Sequence, residues 1–182
     1  MAALVDATTA LIVEQGMTMS VREIARRAGV NHGLVHTYFG SKEALLEATF
    51  RAINDRAGDE LDADGFPPAD LAFRRDGELA KATARALLDL ADDPFPSHPV
   101  LPAWRRALAT TNPDSTDHEL NERILIATTL ALGWSLFGEH FGRILEVDPE
   151  ARRSIEQRVV ETIAEIGGLP DARRVRQQPD ES

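Results

Sequence analysis

The chain of 182 residues contains no cysteine. That absence excludes a disulfide framework, a cysteine-ligated zinc site and thiol chemistry, and it fits the reducing cytoplasm. The longest apolar run, residues 124–138, is interrupted by Thr128, Thr129 and Ser135. It falls short of the roughly 18 apolar residues that a membrane span needs. The N-terminus shows no leader with a basic region before an apolar one. We therefore predict a cytoplasmic protein with no membrane partner.

The motifs of common enzyme classes are also missing from the sequence. The chain has no phosphate-binding loop, no nucleophile elbow and no metalloprotease spacing. Glu139, His140 and Asp148 match no known metal-ligand spacing, so neither a metal site nor a cofactor is predicted. No strand pattern or internal repeat appears, whereas helical periodicity is widespread. These features predict an all-α protein that is not an enzyme.

The net charge of −10 is unusual for a protein that binds nucleic acid. Residues 1–50 nevertheless hold four basic and five acidic residues, which leaves 16 of the 20 basic and 25 of the 30 acidic residues beyond them. The first 50 residues are therefore close to neutral. Attraction to DNA over long distances would be weak, so local contacts would have to supply more of the binding.

Local signals between Ser20 and Lys42 predict two short helices joined by a tight turn. Ser20 and Glu23 have the spacing of a capping box, which predicts a helix from Val21. Gly29 is expected to end that helix in a left-handed turn. Its apolar face is formed by residues at helical spacing: Val21, Ile24, Ala25 and Ala28.

The second short helix is predicted to begin after Asn31, a favourable N-cap residue. Val35 and Phe39 lie one turn apart and are expected to point inward. Such a pair forms a helix-turn-helix, whose second helix enters the major groove of DNA. Gly40 then ends the helix and Ser41 caps a third one, which places Lys42 in a first turn that favours a phosphate.

The candidate DNA-binding residues in this segment either face outward or lie at the start of a helix. They are Ser20, Arg22, His32, Gly33, Leu34, His36, Thr37, Tyr38 and Lys42. Their polar groups can bond to base edges or phosphates, and Gly33 would let the backbone approach DNA closely. The competing interpretation is an ordinary three-helix corner of an all-α core.

Several motifs near the N-terminus resemble those of the tetracycline-repressor (TetR) family of transcriptional regulators. They are Gly16, Ser20-Val-Arg-Glu-Ile-Ala, Ala28-Gly-Val-Asn-His-Gly-Leu-Val-His-Thr-Tyr-Phe and Ser41-Lys-Glu-Ala-Leu. The resemblance covers about the first 50 residues. It implies a repressor or activator that binds double-stranded operator DNA, forms a homodimer and responds to a small-molecule effector. Members of the family often have Tyr where this chain has His36.

The expected architecture is an N-terminal three-helix helix-turn-helix module followed by a helical dimerisation and ligand-binding domain. The predicted units are residues 1–45, residues 46–170 and a disordered tail, residues 171–182. Residues 57–73 are rich in Gly, Pro and acids and are predicted to be a flexible connection. Helices are expected over residues 2–15, 42–55, 74–91, 99–110, 118–145 and 149–167.

The last two helices are predicted to form the dimer interface, because the first of them is apolar nearly all round. Two such pairs would make a four-helix bundle. The candidate interface residues are Gly138, Gly142, Ile155, Val159 and Ile163. The alternative is a monomer in which this helix is simply central.

We also predict a ligand pocket between the helices of the larger domain. Its candidate wall residues are Trp104, Trp134, Phe137 and His140, although each alone is more often part of a core. The combined hypothesis is a repressor that an effector releases from its operator. The alternative is a helical dimeric interaction protein that kept this fold but lost DNA binding.

Overall fold

A computed structural model describes residues 1–90, 94–95 and 97–170, apart from the side chain of Asp76. All regular structure in these ranges is helical, which confirms the all-α prediction. The predicted tail, residues 171–182, lies outside the described residues. The α-helices are α1 (Ala2–Gln15), α2 (Val21–Arg27), α3 (Gly33–Phe39), α4 (Lys42–Gly58), α5 (Arg74–Asp89), α6 (Val100–Thr111), α7 (Asp117–Ile144) and α8 (Pro149–Gly167).

One hydrophobic cluster holds the first four helices together. Leu4, Leu11 and Ile12 from α1 pack with Ile24 of α2 and Val35 of α3, all 3% exposed or less. The cluster also includes two alanines of α5, Ala82 and Ala86, neither of which is exposed at all. Small residues at these positions let the α5 backbone lie close to its neighbours, and α5 packs directly on α1. The helix-turn-helix core is therefore completed by a helix from later in the chain.

A second cluster joins α6, α7 and α8. Trp104, Leu108, Leu120 and Ile163 are among its buried members. The Trp104 indole N–H donates to the Gly167 carbonyl at 3.0 Å, so its polar atom is satisfied inside this core. This bond ties the middle of α6 to the end of α8.

The segment between α4 and α5 is folded, so the prediction of a flexible connection over residues 57–73 is wrong. Phe66 and Ala69 are 4% and 5% exposed and belong to the second cluster. The Asp62 carboxylate accepts the backbone N–H of Phe66 at 2.8 Å and of Asp64 at 3.0 Å. Turn-forming residues therefore build a fixed loop here, and burial of Phe66 holds the loop on the core.

Helix α4 packs in the first cluster and also contacts a helix of the second. Leu45, Phe50 and Ile53 are buried in the first cluster, and α4 also contacts α6. The helix ends at Gly58, three residues beyond the predicted Asp55. A division of the chain at residue 45 stays a prediction, and any such division would leave Ala82 and Ala86 on the far side of it.

Helix α7 carries an apolar face that the described residues leave uncovered. By length and composition α7 could cross a membrane, but a core helix of a soluble protein passes the same test. It packs along α8 and buries Leu120, Ile124 and Ala127. Its large exposed apolar residues, together with the one that follows it, are Leu125, Ile126, Phe137, Phe141, Ile144 and Leu145.

Candidate nucleic-acid interface

The start of α2 is fixed by the predicted capping box. The Ser20 hydroxyl accepts the Glu23 backbone N–H at 3.3 Å, and the Glu23 carboxylate accepts the Ser20 backbone N–H at 2.7 Å. The bond from the Ser20 backbone N–H, followed by that from its hydroxyl, lowers the pKa of Glu23. The carboxylate therefore stays ionised at the positive end of the helix.

The turn between α2 and α3 depends on Gly29 and Asn31. Gly29 has a φ of 68°, as predicted for a left-handed end. The Asn31 side chain accepts the Gly33 backbone N–H at 2.9 Å. The expectation that Asn31 is the N-cap is wrong by one residue, because α3 begins at Gly33 and His32 occupies the cap position without a side-chain cap bond. The Asn31 bond still satisfies the first free N–H of the helix.

Helix α3 has one buried and one exposed face. Val35 is completely buried and Phe39 packs half-buried against the first cluster, as predicted. Leu34 is half-buried. The exposed residues of α3 and its cap are His32, Gly33, His36, Thr37 and Tyr38. The polar candidates on α3 therefore share one solvent-facing surface, which we call the α3 polar face.

Two residues of the α3 polar face have part of their hydrogen-bonding capacity committed. The His36 Nδ1 lies 3.1 Å from the Gly40 carbonyl, which can only accept, so Nδ1 donates and Nε2 faces outward. The Thr37 hydroxyl donates to the Gly33 carbonyl at 3.1 Å, which leaves its oxygen lone pairs available. In a neutral ring His36 Nε2 is an acceptor. The Thr37 oxygen thus presents an acceptor at the surface, and His36 presents one ring nitrogen for a further hydrogen bond.

The cations near this face differ in their surroundings. Arg22 is exposed and has no ion pair with any residue in the described ranges. Arg27 pairs with Glu14 at 2.5 Å, so much of its charge is compensated. Lys42 is half-buried, and its ammonium group donates to the Met17 carbonyl at 3.1 Å. A lysine ammonium has three donors, so two remain for a phosphate.

One contact that holds the turn before α2 was missed from the sequence. The Asp89 carboxylate, at the end of α5, accepts the Met17 backbone N–H at 2.9 Å. A Cβ atom on Gly16, whose φ is 70°, would collide with that carboxylate. Lys42 holds the carbonyl of the same Met17. The turn before α2 is therefore held both by α4 and by α5, and no local signal announces a contact across 72 residues.

The predicted ligand residues do not lie together. Trp104 lines a cavity between α4, α5, α6 and α7. Trp134 is half-buried, with its indole N–H 3.4 Å from Glu156 Oε2, and it borders a different, outer groove. Phe137 is 50% exposed, and exposed His140 packs edge-on against Phe141. Placing these last three in one pocket with Trp104 was wrong, because they follow the outer side of α7.

The predicted interface residues also lie in different surroundings. Ile163 is 3% exposed in the chain's own core, so including it in a dimer surface was wrong. Gly138 is buried beneath the Trp134 ring of the preceding turn, where a Cβ would clash. Ile155 and Val159 are half-buried, and a Cβ atom on Gly142 would meet no neighbouring atom within 4 Å among the described residues. Gly142 and Ile155 line the apolar groove along the outer side of α7.

Comparison with known proteins agrees with this geometry. Residues 4–49 match the family model described as bacterial regulatory proteins, tetR family. The chain is 31% identical over 174 residues to the HTH-type transcriptional regulator Mb3439c of Mycobacterium bovis and to the HTH-type transcriptional repressor Rv3405c of Mycobacterium tuberculosis. These matches cover 91% of this chain and 87% of each relative. The HTH-type transcriptional regulator BetI of Rhizobium meliloti is 49% identical over 59 residues, or 32% of this chain and 29% of that protein. The chain therefore belongs to the TetR family and is a DNA-binding transcriptional regulator.

Proposed function

We propose that α3 enters the major groove of an operator and that the α3 polar face reads it. The observation that carries this proposal is the exposed row of polar groups held on a helix whose opposite face, at Val35, is fully buried. His36, with Nε2 outward, and Thr37, with free lone pairs, are suited to base edges. His32, Gly33, Leu34 and Tyr38 complete the reading surface.

Phosphate contacts are assigned to the residues at the helix starts. Ser20, Arg22 and Lys42 would grip the backbone and set the position of α3 without reading sequence. Arg22 supports this role because its charge is exposed and unpaired by described residues. With few cations in the module, the loss of any one of them should matter.

We further propose a homodimer that pairs the apolar side of α7, with Gly142, Ile155 and Val159 at its edge. The support is the row of exposed large apolar residues along one helix, which is more than isolated surface residues would show. Gly138 contributes indirectly, by seating Trp134. A twofold axis would place two α3 helices about one DNA turn apart, roughly 34–36 Å.

Effector control is the third part of the proposal, with the protein acting as a cytoplasmic, non-enzymatic repressor. Ile53, Asn54 and Ala57 of α4 line the cavity that includes Trp104, while Leu45 and Phe50 of α4 pack in the helix-turn-helix core. A ligand in the cavity would press on the helix that carries the reading module. A small displacement of α4 in each subunit would change the spacing of the α3 pair and release DNA.

Selection of genomic fragments by the purified protein, followed by footprinting, tests this proposal. We expect an inverted repeat whose half-site centres lie about 10–10.5 base pairs, or a multiple of that, apart. A single protected half-site would contradict the dimeric reader. Absence of any enriched sequence, together with an intact dimer, would favour the helical interaction protein instead.

A further inference from the structure

The cavity between α4, α5, α6 and α7 is small. Its volume is about 150 Å³, and its wall includes Leu79, Ala80, Trp104, Ala131 and Leu169. A dry apolar cavity of about this size holds a benzene-sized molecule. Leu101, which is 42% exposed, lies on the wall and marks the side that reaches solvent. The size of the space alone limits a buried occupant to about one ring.

The wall carries no charge. None of the described residues that line the cavity is Asp, Glu, Lys, Arg or His. Moving an ion from water into such a site without a partner costs far more than apolar contacts return. The cavity therefore discriminates against carboxylates and ammonium groups.

Two threonines stand among the few polar residues that line the cavity. Helical threonines in this chain commonly donate to the carbonyl four residues earlier, as Thr8, Thr9, Thr37, Thr49, Thr110, Thr111 and Thr162 do. Thr83 of α5 and Thr128 of α7 line the cavity, and neither makes such a bond to any described residue. Among the other polar side chains of the wall, Trp104 donates its N–H to Gly167 and Asn54 donates one amide N–H to Ser97. The Asn54 amide oxygen has no hydrogen-bond partner among the described residues. The hydroxyls of Thr83 and Thr128 are therefore available to bind a ligand oxygen, and the Asn54 amide lies on the same wall.

We propose that the effector is an uncharged molecule of about one six-membered ring bearing a hydroxyl or carbonyl oxygen, held by Thr83 and Thr128. This inference rests on the effector control proposed above and specifies its chemistry. The ring fills the apolar space beside Trp104, and the oxygen exchanges a hydrogen bond with a threonine hydroxyl. Charged molecules of the same size and shape are rejected.

Calorimetric titration of the full-length protein with four matched probes tests the chemistry. Phenol has the ring and one hydroxyl, toluene lacks the oxygen, and benzoate and benzylamine carry opposite charges near neutral pH. We expect phenol to bind about three to ten times more tightly than toluene, which is the worth of one hydrogen bond. No binding heat is expected for benzoate or benzylamine. Equal affinity for phenol and either ion overturns the proposal.

Variants locate the binding. Ala131→Leu puts an isobutyl group into the cavity and should abolish phenol binding, whereas Ala109→Leu, at an exposed position of α6, should not. Thr83→Val and Thr128→Val keep the shape but remove a hydroxyl. One or both should lower phenol affinity about threefold to tenfold and leave toluene affinity unchanged. Thermal unfolding checks that each variant folds. Phenol binding that survives Ala131→Leu in a folded protein overturns the assignment.

Operator binding measured in the same samples separates this inference from effector control. Phenol that binds the cavity and leaves DNA affinity unchanged supports the ligand chemistry and contradicts effector release. Release of DNA by a charged compound that competes with no cavity probe supports effector control and overturns the proposed chemistry.

Discussion

Replacing Lys42 tests whether the start of α4 grips the DNA backbone. The ammonium group donates one hydrogen bond to the Met17 carbonyl and has two donors left. Lys42→Ala removes the tether and the charge together. Lys42→Gln removes the charge and keeps an N–H donor, although on a side chain that is one atom shorter. Lys42→Arg keeps the charge.

The two roles of Lys42 predict different magnitudes. Loss of one half-buried hydrogen bond should lower the free energy of unfolding by roughly 1 kcal/mol in Lys42→Ala. Loss of one phosphate contact reduces the slope of log affinity against log salt by about 0.9, or about 1.8 for both subunits of a dimer. Lys42→Gln should show the slope change with little loss of stability.

Fluorescence anisotropy with operator and scrambled duplexes, from about 50 to about 200 mM salt, measures the slope. Urea unfolding measures stability. Both neutral variants should weaken binding to the two duplexes alike, because a phosphate contact reads no base. A wild-type slope in Lys42→Gln, or a changed base preference, would refute the phosphate contact.

Three further outcomes follow from the same structure. His36→Ala should lower the binding free energy by about 1–3 kcal/mol on the operator and by less on scrambled DNA. The control His118→Ala, at an exposed position in the first turn of α7, should leave binding unchanged. Equal loss on both duplexes would exclude base reading by His36. Phe141→Asp, at a side chain 56% exposed in the chain, should yield folded monomers in sedimentation, and an intact dimer would place the interface elsewhere. The hydrogen bonds from Ser20 lower the pKa of the Glu23 carboxylate below its ordinary 4.5. The ionised carboxylate therefore stabilises the folded protein above that pH, and this stabilisation disappears as the pH falls through the lowered pKa of the folded state. Glu23→Gln should therefore be less stable than the parent protein in urea unfolding near neutral pH, and the difference should vanish in acid as the parent's Glu23 becomes protonated. A difference that does not change with pH would argue against this contribution.

Helix ends were predictable where a capping group lies within a few residues of its partner. The Ser20 and Glu23 pair correctly gave the start of α2, and Asp148 with Pro149 gave the start of α8. The second capping box, Thr116 with Glu119, was overlooked, so α7 begins one residue earlier than expected. These signals are local and depend only on backbone geometry that the nearby sequence dictates.

Contacts between distant segments were not predictable in the same way. Gly, Pro and Asp around Phe66 indicate turns, but its burial depends on helices that follow much later. An apolar stripe on α8 indicates that one side is covered, but not whether Ile163 faces its own core or a partner. The outward face of α3 was found because Val35 and Phe39 fix its orientation, whereas Asp89 has no local partner to reveal it.

The presence of Ala82 and Ala86 in the helix-turn-helix core limits how this protein can be recombined. A chimera joined after α4 would set Leu11 and Ile24 against a foreign fifth helix. Any larger side chain at the two alanine positions would wedge that helix away and release the turn that Asp89 holds at Met17. The DNA-binding module therefore depends on contacts with a helix outside the first four. Domain exchanges that transfer α5 together with α1 to α4 should preserve DNA specificity in the chimeric protein.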